Sequence, residues 1–118
     1  MVSGAFMKIM SFSTTTDQIR NRTKTVTRRF GWWKIRKGTP LIAVEKYRGV
    51  RIADRVELAK IIVVSARLVI LKNIWRHDLI REGFSYMNRH EFIRMFLKMN
   101  RGCHDWTAVM RIEFEYLD

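Results

Sequence analysis

A lysine, a threonine and an arginine form the segment Lys24-x-x-Thr27-x-Arg29. A lysine surrounded by other cations has its ammonium form disfavoured, which lowers its pKa. Such a lysine could accept a proton from the threonine hydroxyl, which is a poor nucleophile without that help. Residues three apart on an extended strand face opposite ways. A bend or bulge is therefore needed to bring Lys24 and Thr27 together.

A carboxylate that could complete this group is Glu82, which lies in the last turn of a predicted helix. The helix dipole disfavours an anion at that end by roughly 0.3–1 kcal/mol, so another group must hold it. Each side chain also has an ordinary explanation: a solvated lysine, a threonine in a strand and a surface glutamate. Catalysis by Lys24, Thr27 and Glu82 is one hypothesis among these.

Other catalytic and metal-binding patterns are missing from the sequence. It contains no G-x-S-x-G motif, no P-loop and no dinucleotide fingerprint. Cys103 and His104 are adjacent rather than spaced as zinc ligands, and His77 and His90 have no companion three or four residues further on. We therefore expect no metal and no cofactor.

Positive charge is concentrated in the first half of the chain. The formal net charge is +12. Within residues 20–51 one acid, Glu45, opposes eleven bases: Arg20, Arg22, Lys24, Arg28, Arg29, Lys34, Arg36, Lys37, Lys46, Arg48 and Arg51. This asymmetry predicts one basic face, which binds a polyanion by releasing counterions. Nucleic acid, and RNA first, is the expected partner; an acidic protein is the alternative, and no membrane partner is expected.

Two adjacent tryptophans, Trp32 and Trp33, lie inside this basic segment. Bases of single-stranded RNA stack on such rings, which contributes roughly 1–3 kcal/mol per base. Core packing is the alternative, but adjacent strand residues face opposite ways, so at most one should be buried. The predicted nucleic-acid-binding residues are Arg20, Arg22, Arg28, Arg29, Trp32, Trp33, Lys34, Arg36 and Lys37.

Length and composition predict one domain over residues 1–118, with residues 1–6 as a loose extension. A chain of 118 residues that is 47% hydrophobic can bury a core without disulfides. A single cysteine and the lack of a secretory signal predict a cytoplasmic protein. The apolar run at 61–71 contains Arg67 and is too short to span a bilayer.

The pattern of the chain predicts an α+β fold. Strands are expected at 7–13, 24–30, 41–46, 57–71 and 106–116, with helices at 16–22 and 75–82. Asn88 and Glu91 resemble a capping box before a third helix. In the last strand Met110, Ile112 and Phe114 point one way and Arg111 and Glu113 the other, with Val109 out of pattern. The N- and C-terminal strands could pair to close a barrel.

The order of four short motifs resembles the ASCH domain family. Residues 22–29 resemble its signature, a lysine followed five residues later by an arginine. Lys37-Gly38 resembles its turn before the next strand, Glu82-Gly83-Phe84 its helical insertion, and Arg111-Ile112-Glu113-Phe114 its closing strand. The resemblance covers most of residues 7–117. Small phage or prophage ASCH proteins look similar overall.

This resemblance implies a PUA-like β-barrel of about five to six mostly antiparallel strands with two or three flanking helices. It also implies a cleft beside the lysine motif and an association with RNA. In the acetylcytidine amidohydrolase branch, the matching positions are Lys24 as base, Thr27 as nucleophile and Glu82 as proton relay. Other ASCH proteins are described as ribonucleases. Two positions depart from the family pattern: Arg22 replaces a glycine and Thr39 an acidic residue.

Overall fold

A computed structural model describes residues 7–117 of the chain. It contains β1 (Lys8–Ser11), α1 (Thr16–Arg20), β2 (Val26–Arg29), β3 (Pro40–Val44), β4 (Glu57–Ile70), α2 (Arg76–Arg81), α3 (Arg89–Met99) and β5 (Ala108–Leu117). Two 3₁₀ turns, Ile52–Asp54 and Leu71–Asn73, flank β4. Each predicted element is present. The predicted extension at residues 1–6 lies outside the described residues.

The five strands form one curled sheet in the order β1-β3-β4-β5-β2. β1 runs parallel to β3, and the other neighbouring pairs are antiparallel. The predicted α+β class of PUA-like type is therefore confirmed, as a half-barrel. The predicted pairing of the terminal strands is wrong, because β5 already pairs with β4 on one edge and β2 on the other.

Two hydrophobic clusters form the core. The first joins side chains of β1, β3, β4 and β5 and includes Phe12, Ile61 and Phe114. The second lies under the helices and includes Phe84 and Phe92. The long strand β4 contributes to both clusters, with Ile61 in the first and Val69 against the second. Its pairing with β5 shifts register between Val63 and Ser65. Such a bulge bends a strand and raises its local twist.

The helices cover the face of β5 that carries Arg111 and Glu113, which the sequence pattern predicts to be polar. Met110, Ile112 and Phe114 are buried in the first cluster. Val109, which breaks the alternation in the sequence, is fully buried in the second cluster with Leu79 of α2 and side chains of α3. Helical cover on this face explains why an apolar residue stands there.

The third helix, α3, begins with the predicted capping box. The Asn88 side chain accepts a hydrogen bond from the Glu91 backbone, and the Glu91 side chain accepts one from the Asn88 backbone, both at 2.9 Å. Phe92 and Phe96 then form its buried face. No helix within residues 7–117 has the length and apolar character needed to cross a membrane.

Candidate functional site

A cavity of about 440 Å³ opens between the two hydrophobic clusters. Phe12 of the first cluster lines one side, and Phe84, Phe92 and Phe96 of the second cluster line another. The polar side chains of Lys24, Thr27, Arg28, Arg29 and Glu82 also line it. The three residues of the catalytic hypothesis, Lys24, Thr27 and Glu82, are thus brought into one concavity.

The bend that this convergence requires lies just before β2. Arg22 has a left-handed backbone with φ of 63°, and the Lys24 amide donates to the carbonyl of Gln18 in α1 at 3.2 Å. The Tyr116 hydroxyl donates to the Lys24 carbonyl. Lys24 therefore precedes the strand instead of occupying it, so the opposite-face argument for an extended segment does not apply.

Lys24 and Glu82 form a buried ion pair. The Lys24 ammonium donates to Glu82 Oε1 at 3.0 Å and to the Glu82 backbone carbonyl at 2.6 Å, and each side chain is 3% exposed. Burial lowers the pKa of Lys24 below its ordinary value, and the Glu82 carboxylate offsets this only in part. The ammonium thus compensates the carboxylate that the helix dipole disfavours.

A buried group of charged side chains lies beside this pair and centres on Asp78 of α2. Arg28 Nη2 donates to Asp78 Oδ2 at 2.7 Å, and Arg111 donates to both Asp78 oxygens at 2.7 and 2.9 Å. Burial opposes ionisation of Asp78, but hydrogen bonds from Arg111 and Arg28 hold its pKa well below the usual range. Hydrogen bonding to Asp78 likewise raises the pKa of Arg111.

Arg28 connects the Asp78 group to the Lys24–Glu82 ion pair through its Nη1, which lies 3.3 Å from Glu82 Oε2. Its side chain is 3% exposed, so it lies in the wall of the cavity and not on the predicted open basic face. Within residues 7–117 its Nε has no hydrogen-bond partner. Arg28 therefore fixes the position of both carboxylates from the strand side.

Arg29 holds the threonine. Its Nε donates to Thr27 Oγ1 at 3.0 Å, and its Nη2 donates to the Ser11 carbonyl at 2.6 Å. Its guanidinium lies 4.8 Å from the centre of the Phe12 ring. Burial lowers the pKa of Arg29 to about 10. Because Thr27 Oγ1 accepts this hydrogen bond, its own proton remains available to another acceptor.

The mouth of the cavity is basic and aromatic. It is lined by Phe30, Trp32, Lys46, Tyr47 and Arg48. Counted over the whole cavity lining, five side chains are cationic and one, Glu82, is anionic. An anionic ligand is therefore favoured electrostatically over a cationic one.

The remaining predicted binding residues lie outside the cavity. Arg20 is 3.7 Å from Glu45, and the Arg22 guanidinium lies 5.3 Å from the Tyr116 ring centre. The other four lie in the connection from β2 to β3, where they are exposed: Trp33, Lys34, Arg36 and Lys37. Trp32 packs against the first cluster, so the expectation that at most one tryptophan is buried is confirmed.

The predicted site residues did not include Asp78 or the mouth residues Phe30, Lys46, Tyr47 and Arg48, although Lys46 and Arg48 were among the bases of the predicted basic face. The sequence signal for the mouth was available, since Lys46-Tyr47-Arg48 interleaves an aromatic with cations. Asp78 gave no such signal, because its partners lie 50 and 33 residues away. In the described part of the chain, no group of three or more His, Cys, Asp or Glu converges as metal ligands.

A second, wider groove of about 610 Å³ lies beside the connection from α2 to α3. It is lined by Trp75, Arg76, Tyr86 and Arg89 among others. None of the residues predicted to bind or catalyse lines it. Because this groove also combines aromatic side chains with arginines, ligand binding there can be compared with ligand binding at the cavity.

The fold is that of an ASCH-like domain, as comparison with solved structures shows. The chain is similar to an ASCH domain from Lactobacillus crispatus, with a TM-score of 0.62 and 11% identity over 98% of this chain and 86% of that chain. Protein EF3133 from Enterococcus faecalis, of the family model DUF984, gives a TM-score of 0.70 and 14% identity over 95% and 80%. The hypothetical protein PH0355 gives 0.67 and 14% over 94% and 98%.

The sequence itself matches no protein-family model and no curated protein. At 11–14% identity the structural likeness concerns the fold alone. A fold does not specify a function, so activity has to be argued from the site.

Proposed function

We propose that this chain binds single-stranded RNA, with one nucleoside held in the cavity beside Lys24 and Arg29. The single observation that carries the proposal is the composition of the cavity lining, in which five cations and one carboxylate surround an aromatic interior. Cations bind the phosphates, and aromatic rings accept an unstacked base. The net charge of +12 adds a long-range attraction for polyanions.

The first test is the affinity for a labelled single-stranded RNA as a function of salt. Each phosphate that is neutralised releases counterions, so the logarithm of the association constant should fall linearly with the logarithm of salt concentration. The expected result in fluorescence anisotropy is tight binding at low salt that weakens steeply on addition of salt. Binding that is absent at low salt, or that does not change with salt, contradicts the proposal.

A matched pair of double variants locates the binding surface. Lys46→Ala with Arg48→Ala removes two exposed cations at the cavity mouth. Arg67→Ala with Lys72→Ala removes two exposed cations that do not line the cavity. Both change the net charge equally. The mouth variant should lose more affinity and reduce the salt slope by about one per phosphate contact removed; equal losses would mean binding by net charge alone.

A second candidate function is hydrolysis of an acylated cytidine. The observation that favours it is the convergence of Lys24, Thr27 and Glu82 in one cavity, with 3.0 Å between Lys24 Nζ and Glu82 Oε1. Thr27 Oγ1 would attack the acyl carbonyl and form an acyl-threonine. Lys24 in its neutral form would take the hydroxyl proton, and Glu82 would relay it to the departing amine. Water would then hydrolyse the acyl-threonine, which releases the carboxylic acid and restores the Thr27 hydroxyl. The lowered pKa of Lys24 increases the neutral fraction.

Incubation with N4-acetylcytidine tests this candidate directly. Wild-type protein should release cytidine, whereas Lys24→Ala should abolish turnover and Thr27→Val, which removes the hydroxyl at nearly constant volume, should do the same. Absence of turnover in the wild type rejects the candidate. Unchanged rates in Lys24→Ala reject the assignment of these residues.

A further inference from the structure

A pair of exposed aromatic rings lies at the mouth of the cavity. Phe30 is 52% exposed and Trp33 is 50% exposed. Their ring centres are 5.2 Å apart at an interplanar angle of 88°. Phe30 lines the cavity itself, so the pair extends the cavity wall outward onto the surface. Large apolar groups left together in water mark interaction surfaces more often than structural ones.

The backbone between the two rings is held in an unfavourable conformation. Gly31 and Trp32 both have positive φ, at 101° and 57°. For a residue other than glycine, this region is unfavourable because the Cβ comes too close to the following carbonyl oxygen. Trp32 tolerates it because its side chain packs against the first cluster, and the Ile35 amide donates to its carbonyl at 3.2 Å. The turn thus anchors Trp32, while Phe30 before it and Trp33 after it remain exposed. Strain of this kind collects at functional sites.

Along the chain, the charged residues on either side of the pair are all positive. Lys34, Arg36 and Lys37 follow Trp33 in the same exposed connection, and the sequence contains no acidic residue from position 18 to position 44. Cations beside exposed rings suit a strand whose bases stack while its phosphates are neutralised. An acidic peptide would use the cations and leave the rings without a stacking partner, so nucleic acid fits better.

We propose that Phe30 and Trp33 form a stacking platform for the nucleobase adjacent to the one in the cavity. This inference rests on the proposed RNA binding and specifies its ligand class. The preferred ligand is a single-stranded oligonucleotide of at least two nucleotides, and a free nucleoside occupies only half of the site. Phe30 connects the two halves, since it lines the cavity and contacts Trp33.

Charge-matched dinucleotides test the platform. The probes are an intact dinucleotide and two versions in which either base is replaced by an abasic ribose, which keeps the phosphate and removes one stack. The wild-type protein should bind the intact dinucleotide more tightly than both abasic versions, by about 5- to 150-fold for each stacked base. The double variant Phe30→Ala with Trp33→Ala should lose this preference for one abasic version and keep it for the other.

Three further proteins complete the experiment. Trp33→Phe retains an aromatic ring and should keep most of the preference. Trp106→Ala removes a tryptophan that is 62% exposed and does not line the cavity, so it should bind like the wild type. The mouth variant at Lys46 and Arg48 should weaken all three dinucleotides by a similar factor.

The outcomes separate this inference from the function on which it rests. If the aromatic double variant keeps both base preferences while the mouth variant loses affinity, the platform is wrong and RNA binding survives. If the aromatic double variant weakens all three dinucleotides equally, the rings support the fold of the cavity and do not stack a base. If the wild type binds none of the probes at low salt, the proposed function is wrong as well.

Discussion

At the scale of single residues, the site depends on a chain of buried charges. Lys24, Glu82, Arg28, Asp78 and Arg111 are linked by hydrogen bonds of 2.7–3.3 Å. Each of these side chains is at most 5% exposed. Buried charges are tolerated only when they are paired and hydrogen-bonded. These linked charges thus hold Lys24 and Glu82 in the wall of the cavity that Thr27 also lines.

Replacement of the central acid should cost much of the stability of the protein. In Asp78→Ala, Arg28 and Arg111 would lose the carboxylate to which both donate. Breaking a buried pair in this way costs about 3–5 kcal/mol, which urea unfolding followed by circular dichroism would measure. The exposed Arg51–Asp54 pair provides the control: Asp54→Ala should cost less than about 1 kcal/mol. Equal costs would contradict a structural role for the network.

The same carboxylate predicts a loss of stability in acid. The folded-state pKa of Asp78 lies below its unfolded value of about 3.9, so the unfolded chain takes up a proton first as pH falls. The free energy of unfolding should therefore be fully maintained above about pH 5 and decline as pH drops below 4. Urea unfolding from pH 7 to pH 3 measures this decline, and Asp78→Asn should show a shallower one. Identical slopes would contradict the assignment.

The residue types and their spacing predicted part of the site, and there is a physical reason why they did not predict the rest. The spacing of Lys24, Thr27 and Arg29 and the position of Glu82 were readable from the sequence. The role of Asp78 was not, because an aspartate in a short helix ordinarily faces water and its two arginine partners come from different strands. Arg28 was predicted on the surface for the same reason: local sequence does not show which helix covers β2.

At the scale of elements, the site depends on how α2 meets α1 and β2. The Thr25 amide donates to the Arg81 carbonyl at 2.8 Å, and the Gln18 side chain donates to the Gly83 carbonyl at 3.0 Å. These bonds join the end of α2 to the segment that carries Lys24. Glu82 lies between the two acceptors, so its position follows from this junction.

Gly83 should be the most sensitive glycine at this junction. It has φ of +91°, and an added Cβ would lie 2.9 Å from Gln18 Cγ. Gly38 has a similar φ of +89° with nothing within 4 Å of an added Cβ. Gly38→Ala should therefore cost roughly the 1–2 kcal/mol of a left-handed residue, and Gly83→Ala distinctly more. Urea unfolding of both variants checks this, and equal losses would show that the contact with Gln18 is unimportant.

Periodicity predicted the elements well because each has a strong local signal. The capping box of α3 and the β-branched run of β4 are examples. Strand order had no such signal, since it depends on which edges remain free after β5 pairs with both β4 and β2. The predicted pairing of the terminal strands failed for that reason. Likewise, Val109 looked irregular in the sequence because the covering helices could not be seen.

At the scale of the whole molecule, segments that are distant in the sequence bring cations to one opening. Lys46 and Arg48 come from the connection after β3, while Arg28 and Arg29 come from β2, and all four line the same cavity. The connection between β2 and β3 adds the exposed aromatic pair and three further cations. Two segments distant in sequence thus form one basic and aromatic surface around a cavity of about 440 Å³.

Crosslinking of a single-stranded RNA that contains 4-thiouridine, mapped by mass spectrometry, tests the central claim most directly. RNA held at the cavity should crosslink to aromatic residues of its mouth and platform, at Phe30, Trp33 and Tyr47. Crosslinks confined to the groove of Trp75 and Tyr86, or scattered over exposed residues such as Arg67 and Lys72, would contradict binding at the cavity.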